Sequence, residues 1–154
     1  MSESITVREA RHRYFAENGF APDGGYNDPW VFLTFGGLKL PLYNSRARRR
    51  AVALHDLHHI ATGFGTHPQG EAQIGIWELA AGTHDKWFAF FINIPALIYG
   101  YLLWPKVSQA AWRLGRTSRT LYQQEFDETL LDLTVEELRE RTLGENGVNH
   151  PEDG

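Results

Sequence analysis

The stretch SRARRRAVALHDLHHIATGFGTHPQGEAQIGIWELAAG, residues 45–82, decides the fold, because it predicts two helices joined by a short connection. Asn44 or Ser45 can cap the first helix, since a short polar side chain there accepts a hydrogen bond from a free backbone N–H. That helix is predicted to run to about Thr62, where two nearby glycines end it. The second helix is predicted over about residues 69–81, with a glycine closing it.

A strand-like segment precedes this helix pair, and further helical segments flank it. Residues 31–35 and 38–42 are short apolar runs around Gly36-Gly37, which predicts a β-hairpin with a tight glycine turn. We therefore expect a mainly α fold, a helical bundle with a short β-hairpin near residues 31–42. Other helices are predicted over residues 6–18, 105–115 and 134–141, the last opening with the capping-box pair Thr134 and Glu137.

Length and composition bound the domain count and the kinds of site. The 154 residues, 42% of them hydrophobic, are expected to form a single domain over residues 1–154, with a disordered tail over residues 144–154. A net charge of −4 argues against nucleic acid as a partner. The absence of cysteine excludes disulfides and thiolate sites, so a metal would need nitrogen and oxygen ligands. The first residues lack the apolar run of a secretory signal, which predicts a cytoplasmic protein, with attachment to a membrane surface as the alternative.

The first helix of the pair carries a cluster of metal-ligating residue types. At the helical rotation per residue, His55 and His59 lie about 40° apart, and Asp56 lies about 60° beyond His59. These three side chains can therefore converge on one ion. Glu71 follows His59 after eleven intervening residues, a connection long enough to fold back antiparallel. The spacing predicts a divalent-metal site formed by His55, Asp56, His59 and Glu71.

Neighbouring residues are predicted to support these ligands. His58 points about 60° to the other side of His55, so it is assigned to the surroundings of the site or to solvent. Glu78 lies on the same helical stripe as Glu71, as a further ligand or a proton acceptor. The glycines of that stripe, Gly75 and Gly82, would let the second helix approach the first closely.

The grouping of these residue types favours a metal over a chance pattern. A single histidine on a helix is usually a half-buried polar residue, and we interpret His67 and His84 in that way. Burying two imidazoles beside two carboxylates is costly unless a cation compensates. Two imidazoles with carboxylates suit Zn²⁺, Fe²⁺ or Mn²⁺, whereas Mg²⁺ and Ca²⁺ favour oxygen ligands alone. Zinc is the first expectation and iron the second, with manganese or magnesium as further alternatives.

The spaced signature resembles one protein family. His55-Asp56-Leu57-His58-His59, eleven residues and then Glu71 match the His-Asp-x-x-His-x(11)-Glu signature of the Coq4 family of ubiquinone-biosynthesis proteins. The similarity is strict over residues 55–71 and looser to about Gly82. It implies that His55, Asp56, His59 and Glu71 bind a divalent ion and take part in catalysis on a helical scaffold. It also implies a prenylated quinone precursor as ligand, oxidative decarboxylation at C1 of its aromatic ring as the reaction, and a quinone-biosynthesis complex as partner.

The chain departs from the family in its length and in the hairpin that precedes the motif, so other functions stay open. A relative could act on another isoprenoid or aromatic lipid. A non-catalytic isoprenoid-lipid-binding or scaffold protein would use the metal only to join two helices. A His-Asp-type metal phosphohydrolase is a further alternative, although that class normally needs additional His and Asp ligands on separate helices.

Residues 87–105 are nineteen residues without a charge, with tryptophan near each end. We expect a helix that lines a groove for a prenyl tail or docks on a membrane surface. A core helix and a membrane-spanning helix are the alternatives, and Asn93 and Pro95 at the centre argue against the span.

Arginines recur at three-residue spacing after this segment. On a helix, Arg113, Arg116 and Arg119 would line one face and could attract a carboxylate or a phosphate. Arg116 and Arg119 are therefore candidate anion contacts, with an ordinary basic surface as the alternative.

Overall fold

Helices form most of the chain in the computed structural model, which describes residues 4–35, 38–83 and 87–144. The predicted mainly helical fold is confirmed. The described elements are α1 (Val7–Glu17), β1 (Trp30–Phe35), β2 (Leu38–Tyr43), α2 (Arg46–Thr62), α3 (Pro68–Gly82), α4 (Trp87–Leu103), α5 (Pro105–Arg116), two 3₁₀ turns (Leu121–Gln123 and Glu128–Leu131) and α6 (Val135–Leu143).

The hairpin lies where the two apolar runs around Gly36-Gly37 predict it. β1 pairs antiparallel with β2, in a register that runs from Trp30 opposite Tyr43 to Phe35 opposite Leu38. The glycine turn itself, His84 and the tail beyond Gly144 lie outside the described residues.

The helix pair at residues 45–82 forms as its end signals predict. The hydroxyl of Ser45 accepts a hydrogen bond from the Arg48 backbone N–H, and Gly63, whose φ of 73° suits glycine, caps the C-terminal end of α2. α3 begins one residue earlier than predicted, because the His67 side chain caps it and Pro68 occupies its first position.

The first and last helices begin side by side. Thr6 caps α1 with Glu9, and Thr134 caps α6 with Glu137, each as a reciprocal capping box. The two capping residues also form an antiparallel β-bridge with each other. Local sequence predicts the second box, but only the folded chain shows that the two helix starts are paired.

Two clusters of buried side chains hold α2 and α3 in place. The apolar face of α2 packs against the segments that follow α5, so that the opposite face is left for polar residues. α3 packs between α4 and α5. The first cluster contains Val7, Leu54, Leu57, Ala61, Leu121, Tyr122, Leu130, Leu131 and Leu138, and the second contains Ile74, Ile76, Trp77, Ala111 and Leu143.

The close approach that glycine permits on α3 is made to α4, and not to α2 as the sequence predicts. A Cβ added to Gly75 would lie 2.7 Å from the Ala96 Cβ and 3.2 Å from the Asn93 Oδ1. The prediction was wrong because Gly75 packs against α4. A stripe of small residues shows that some helix can approach closely, but it does not show which helix does. That seam brings Asn93 of α4 against the polar face of α3.

None of the helices among the described residues is long and apolar enough to cross a membrane. α4 has 17 residues and contains Pro95. The structure therefore does not support the alternative that residues 87–105 span a membrane.

Candidate metal centre

Two helices bring three metal-ligating side chains together. His55 and His59 project from successive turns of α2, and Glu71 faces them from the first turn of α3. One ligand atom from each residue lies within 4.8 Å of the others. The two imidazole Nε2 atoms are 3.1 Å apart, and the Glu71 carboxylate oxygens lie 3.7 Å from His55 Nε2 and 3.5 Å from His59 Nε2.

Each imidazole turns its Nε2 atom toward this point because its Nδ1 atom has a partner elsewhere. His59 Nδ1 lies 2.8 Å from the carbonyl oxygen of Phe64, and His55 Nδ1 lies 2.8 Å from Glu78 Oε1. A carbonyl and a carboxylate only accept, so both Nδ1 atoms carry the proton. Burial lowers the pKa of His55, but Glu78 and Glu71 raise it well above its usual value, so without a metal His55 Nε2 also carries a proton and donates to His59 Nε2. A divalent ion between the two Nε2 atoms would replace that proton and bind both rings as neutral imidazoles.

The separations suit a first-row divalent ion. With bonds of 2.0–2.1 Å to nitrogen or oxygen, two ligands of a tetrahedral ion lie about 3.3 Å apart. The observed separations of 3.1, 3.5 and 3.7 Å bracket this distance. Small side-chain rotations of Glu71, which is half exposed, are therefore enough to complete a three-ligand site.

The site is buried on the side of His59 and accessible to solvent on the side of Glu71. The side chain of His59 is 1% exposed, whereas those of His55 and Glu71 are 26% and 48% exposed. Three protein ligands with one accessible side leave a coordination position for water or substrate, as in catalytic zinc sites.

A buried carboxylate fixes the orientation of His55. Glu78 is 1% exposed, and its Oε1 accepts hydrogen bonds from His55, from His58 Nδ1 at 2.7 Å and from the Tyr122 hydroxyl at 2.9 Å. Its Oε2 accepts from Asn93 Nδ2 at 2.7 Å. Burial by itself would raise the pKa of Glu78, but His55 and the hydrogen bonds from both histidines outweigh it and hold that pKa far below its usual range.

His58 belongs to this network and does not face solvent. The ring is fully buried, and its Nε2 accepts a 2.9 Å hydrogen bond from the Leu121 backbone N–H. Its Nδ1 must therefore be the protonated nitrogen, which donates to Glu78. Burial lowers the pKa of His58, in keeping with a neutral ring.

Asp56 lies beside the three ligands, but its oxygens have other partners. Oδ1 accepts from the Tyr14 hydroxyl at 3.3 Å, and Oδ2 accepts a short hydrogen bond from the Tyr26 hydroxyl. Burial raises the pKa of Asp56, and burial next to this carboxylate raises the pKa of both tyrosines. The structure thus groups His55, His59 and Glu71, and the ligand role of Asp56 stays a prediction.

Comparisons with known proteins add no assignment. No family model, curated protein or solved structure matches this chain. The description of the centre therefore rests on its own geometry.

A groove of about 540 Å³ borders the centre on the α1 side. Tyr14 stands at its inner wall, where the phenol ring stacks on the His59 imidazole with 5.7 Å between ring centroids. Ile60 and Phe64 give the groove an apolar side, and the exposed Arg13 lies along it. Glu17, which is also exposed, lines the groove with Arg13.

The predicted arginine stripe does not form on one helix. α5 ends at Arg116, and Thr117 caps it, so Arg119 lies beyond the helix and its backbone N–H donates to the Thr142 carbonyl. Neither Arg116 nor Arg119 lines the groove beside the metal centre. Arg13 of α1 is the arginine placed there.

Sequence reasoning missed the partners that come from distant elements. Asn93 and Tyr122 reach Glu78 from α4 and from a 3₁₀ turn, and Tyr14 and Tyr26 reach Asp56 from α1 and the following loop. Only Asn93 carried a local signal, as a polar residue in an uncharged apolar run. Its burial there requires a polar partner.

Proposed function

We propose that this protein is a metal-dependent enzyme of prenylated-quinone biosynthesis in which His55, His59 and Glu71 hold a divalent ion, with zinc as the first choice. The observation that supports a metal best is the facing pair of Nε2 atoms, each held in place through its own Nδ1 hydrogen bond. The carboxylate of Glu71 completes the set. The resemblance to the Coq4 signature supports the substrate class.

The proposed reaction is oxidative decarboxylation at C1 of a prenylated aromatic acid. The bond from C1 to the carboxyl group breaks, CO₂ leaves, and a hydroxyl group replaces it. If dioxygen is the oxidant, one of its atoms enters the hydroxyl group and the other leaves as water, with two electrons and two protons from an external donor. A bound ion would supply Lewis-acid polarisation of the substrate carboxylate and of a neighbouring ring hydroxyl.

The residues of this chain have separate tasks in that proposal. His55 and His59 bind as neutral imidazoles, and Glu78 holds the His55 ring in the binding orientation. Glu71 occupies the accessible side, where it can shift as substrate enters. Arg13 in the groove is placed to attract an anionic aromatic ligand.

The test of the metal centre is elemental analysis of the purified protein beside His55→Ala and Glu71→Ala. The matched control is His12→Ala, which removes an exposed histidine of α1. We expect about one metal per wild-type and control chain, and at least a tenfold lower metal affinity in both site variants. An unchanged metal content in both would contradict the proposed ligands.

Release of labelled CO₂ from a carboxyl-labelled prenylated hydroxybenzoate tests the reaction. We expect release by the metal-loaded wild type and loss in Glu71→Ala. Bound metal and bound prenyl lipid without CO₂ release would instead assign a non-catalytic, helix-joining role to the metal. Hydrolysis of a phosphomonoester in place of CO₂ release would assign the phosphohydrolase class.

A further inference from the structure

The positive charge of the sequence is unevenly distributed. Residues 87–124, which contain α4 and α5, include four basic residues and no acidic one, whereas the whole chain has a net charge of −4. Three of the four basic residues are exposed on α5: Lys106, Arg113 and Arg116. At the helical rotation per residue they lie within an arc of about 80°.

The end of α4 exposes apolar side chains beside this basic face. Leu102 is 75% exposed, and Ile98 is 58% exposed. Large apolar and aromatic side chains rarely cluster in solvent without a binding role. We call the exposed set the α4–α5 corner; it consists of Ile98, Tyr99, Tyr101, Leu102, Leu103 and, on α5, Trp112.

Aromatic packing orders one side of the corner. The Tyr99 and Trp104 rings meet edge to face with 5.5 Å between centroids. Gly100 faces inward, where an added Cβ would lie 2.7 Å from Ile76 Cδ1 and 3.2 Å from the Ala72 Cβ. The face of α4 that carries Gly100 is therefore buried, whereas the side chains around it in the last turns are exposed.

This packing also places the corner at the metal-bearing end of α3. Asn93, near the middle of α4, contacts Glu78 in the second half of α3. Gly100, near the end of α4, lies against Ala72, near the start of α3. Because α4 runs antiparallel to α3, its exposed last turn lies toward the first turn of α3. That turn carries Glu71, the accessible metal ligand.

We propose that the α4–α5 corner docks on the surface of an anionic lipid bilayer. Leucine, isoleucine and aromatic side chains enter the headgroup region, while Lys106, Arg113 and Arg116 contact anionic headgroups. Charge complementarity selects an anionic bilayer as the occupant, since the charged residues of α4 and α5 that the structure describes as exposed, Lys106, Arg113 and Arg116, are all basic. The docking stands on this surface alone; its use, delivery of a membrane-dissolved prenyl substrate to the metal centre, rests on the proposed function.

The experiment is co-sedimentation of the whole protein with vesicles of phosphatidylcholine, with and without phosphatidylglycerol. We expect binding to the anionic vesicles, and at least a tenfold loss of partitioning in the double variant Leu102→Glu with Leu103→Glu. The matched control is the double variant Trp30→Glu with Phe32→Glu, which places the same two charges at exposed apolar positions of β1. It is expected to bind as the wild type does. These positions are exposed, and circular dichroism verifies that each variant is folded.

A charge-reversal series tests the basic face. Each of Lys106→Glu, Arg113→Glu and Arg116→Glu is expected to lower partitioning into anionic vesicles about fivefold or more, and added salt should weaken wild-type binding. Equal binding to neutral and anionic vesicles, or unchanged binding by the Leu102 and Leu103 double variant, would overturn the proposal. A wild-type dimer that this double variant abolishes, without vesicle binding, would assign the corner to a second copy of the chain.

Activity measurements keep this proposal separate from the proposed function. The Leu102 and Leu103 double variant should retain its metal and release CO₂ from a water-soluble, short-chain substrate at the wild-type rate. Vesicle binding without any catalysis would remove the proposed reaction and leave the docking surface. Catalysis without vesicle binding would overturn the docking surface and leave the proposed reaction in place.

Discussion

The His55 side chain is oriented by a hydrogen bond to one oxygen of the buried Glu78 carboxylate. Oε1 of Glu78 accepts hydrogen bonds from His55, His58 and Tyr122, so one atom sets the orientation of a candidate metal ligand and satisfies two further buried donors. A hydrogen-bonded carboxylate behind a histidine ligand fixes its tautomer and increases its basicity. The predicted ligands therefore depend on a residue that touches no metal.

Glu78→Gln should lower metal affinity about 10–100-fold while the protein remains folded. The amide oxygen still accepts from the histidines, and Asn93 can rotate its amide to accept from the new NH₂ group, but the negative charge is lost. Metal titration with a competing chelator measures the change. Glu136→Gln, at an exposed position of α6, is the control, and equal affinities of Glu78→Gln and the wild type would exclude a positioning role.

Local spacing was enough to predict which residues meet at the centre from α2 and α3. His55 and His59 share a helical face, and an eleven-residue connection returns Glu71 to them. The same spacing could not show that two tyrosine hydroxyls bind Asp56, because Tyr14 and Tyr26 precede it by 42 and 30 residues. Contacts at such separations depend on the tertiary fold.

At the scale of elements, the capping boxes of α1 and α6 lend themselves to measurement. Thr134→Ala removes the hydroxyl that accepts from the Glu137 N–H and donates to its carboxylate, and should reduce the free energy of unfolding by about 1 kcal/mol. Urea unfolding at neutral pH measures this loss. The exposed Thr129→Ala is a suitable comparison, because it retains the backbone N–H that bonds Asp127 and should change stability much less.

The same box gives a pH dependence of known sign. Hydrogen bonds from the Thr134 backbone N–H and hydroxyl lower the pKa of Glu137 in the folded protein. The stabilisation is therefore present above the ordinary carboxyl pKa and is lost as pH falls through the lower, folded pKa. The unfolding free energy of the wild type should fall more steeply between about pH 5 and pH 3 than that of Thr134→Ala, and parallel curves would contradict the coupling.

The contact between α3 and α5 depends on Gly115. An added Cβ would lie 2.6 Å from the Trp77 carbonyl oxygen and 2.6 Å from the Ala80 Cβ. Backbone atoms cannot move aside cheaply, so Gly115→Ala should destabilise the protein by about 1–2 kcal/mol, even though alanine favours helices. Thermal or urea unfolding measures it, with the exposed Gln109→Ala of α5 as control. A stabilised Gly115→Ala variant would contradict the packing.

End signals predicted the elements better than they predicted the neighbours of each element. Ser45, Gly63 and the Thr134 box mark helix ends through local hydrogen bonds, and the structure places them there. The stripe of small residues on α3 did not identify its partner, because α2 and α4 are both compatible with a close approach at Gly75. The arginine stripe failed for a similar reason, since the helix ends before Arg119.

At the scale of the whole molecule, a metal ion would join α2 to α3, whose described residues are linked by the hydrogen bonds of Glu78 while neither of the two apolar clusters contains side chains of both. At a free metal concentration 100 times the dissociation constant, binding adds about 2.7 kcal/mol to stability. For a domain of this size that corresponds to an increase in Tm of roughly 5–11 °C. Calorimetry before and after chelation should show this difference. Glu71→Ala should show a much smaller one, and identical melting of the wild type in both conditions would argue against a site that links the helices.

The β-bridge between Thr6 and Thr134 joins the first helix to the last, so the fold can be completed only late in synthesis. Val7 and the apolar face of α2 share one cluster with Leu130, Leu131 and Leu138, which the ribosome adds long after the candidate metal ligands. Until those leucines emerge, the helix that carries His55 and His59 has its apolar face uncovered. A nascent chain stalled after α5 should therefore be a substrate for chaperones and proteases, and the centre should become able to retain a metal only when the last helix has been made.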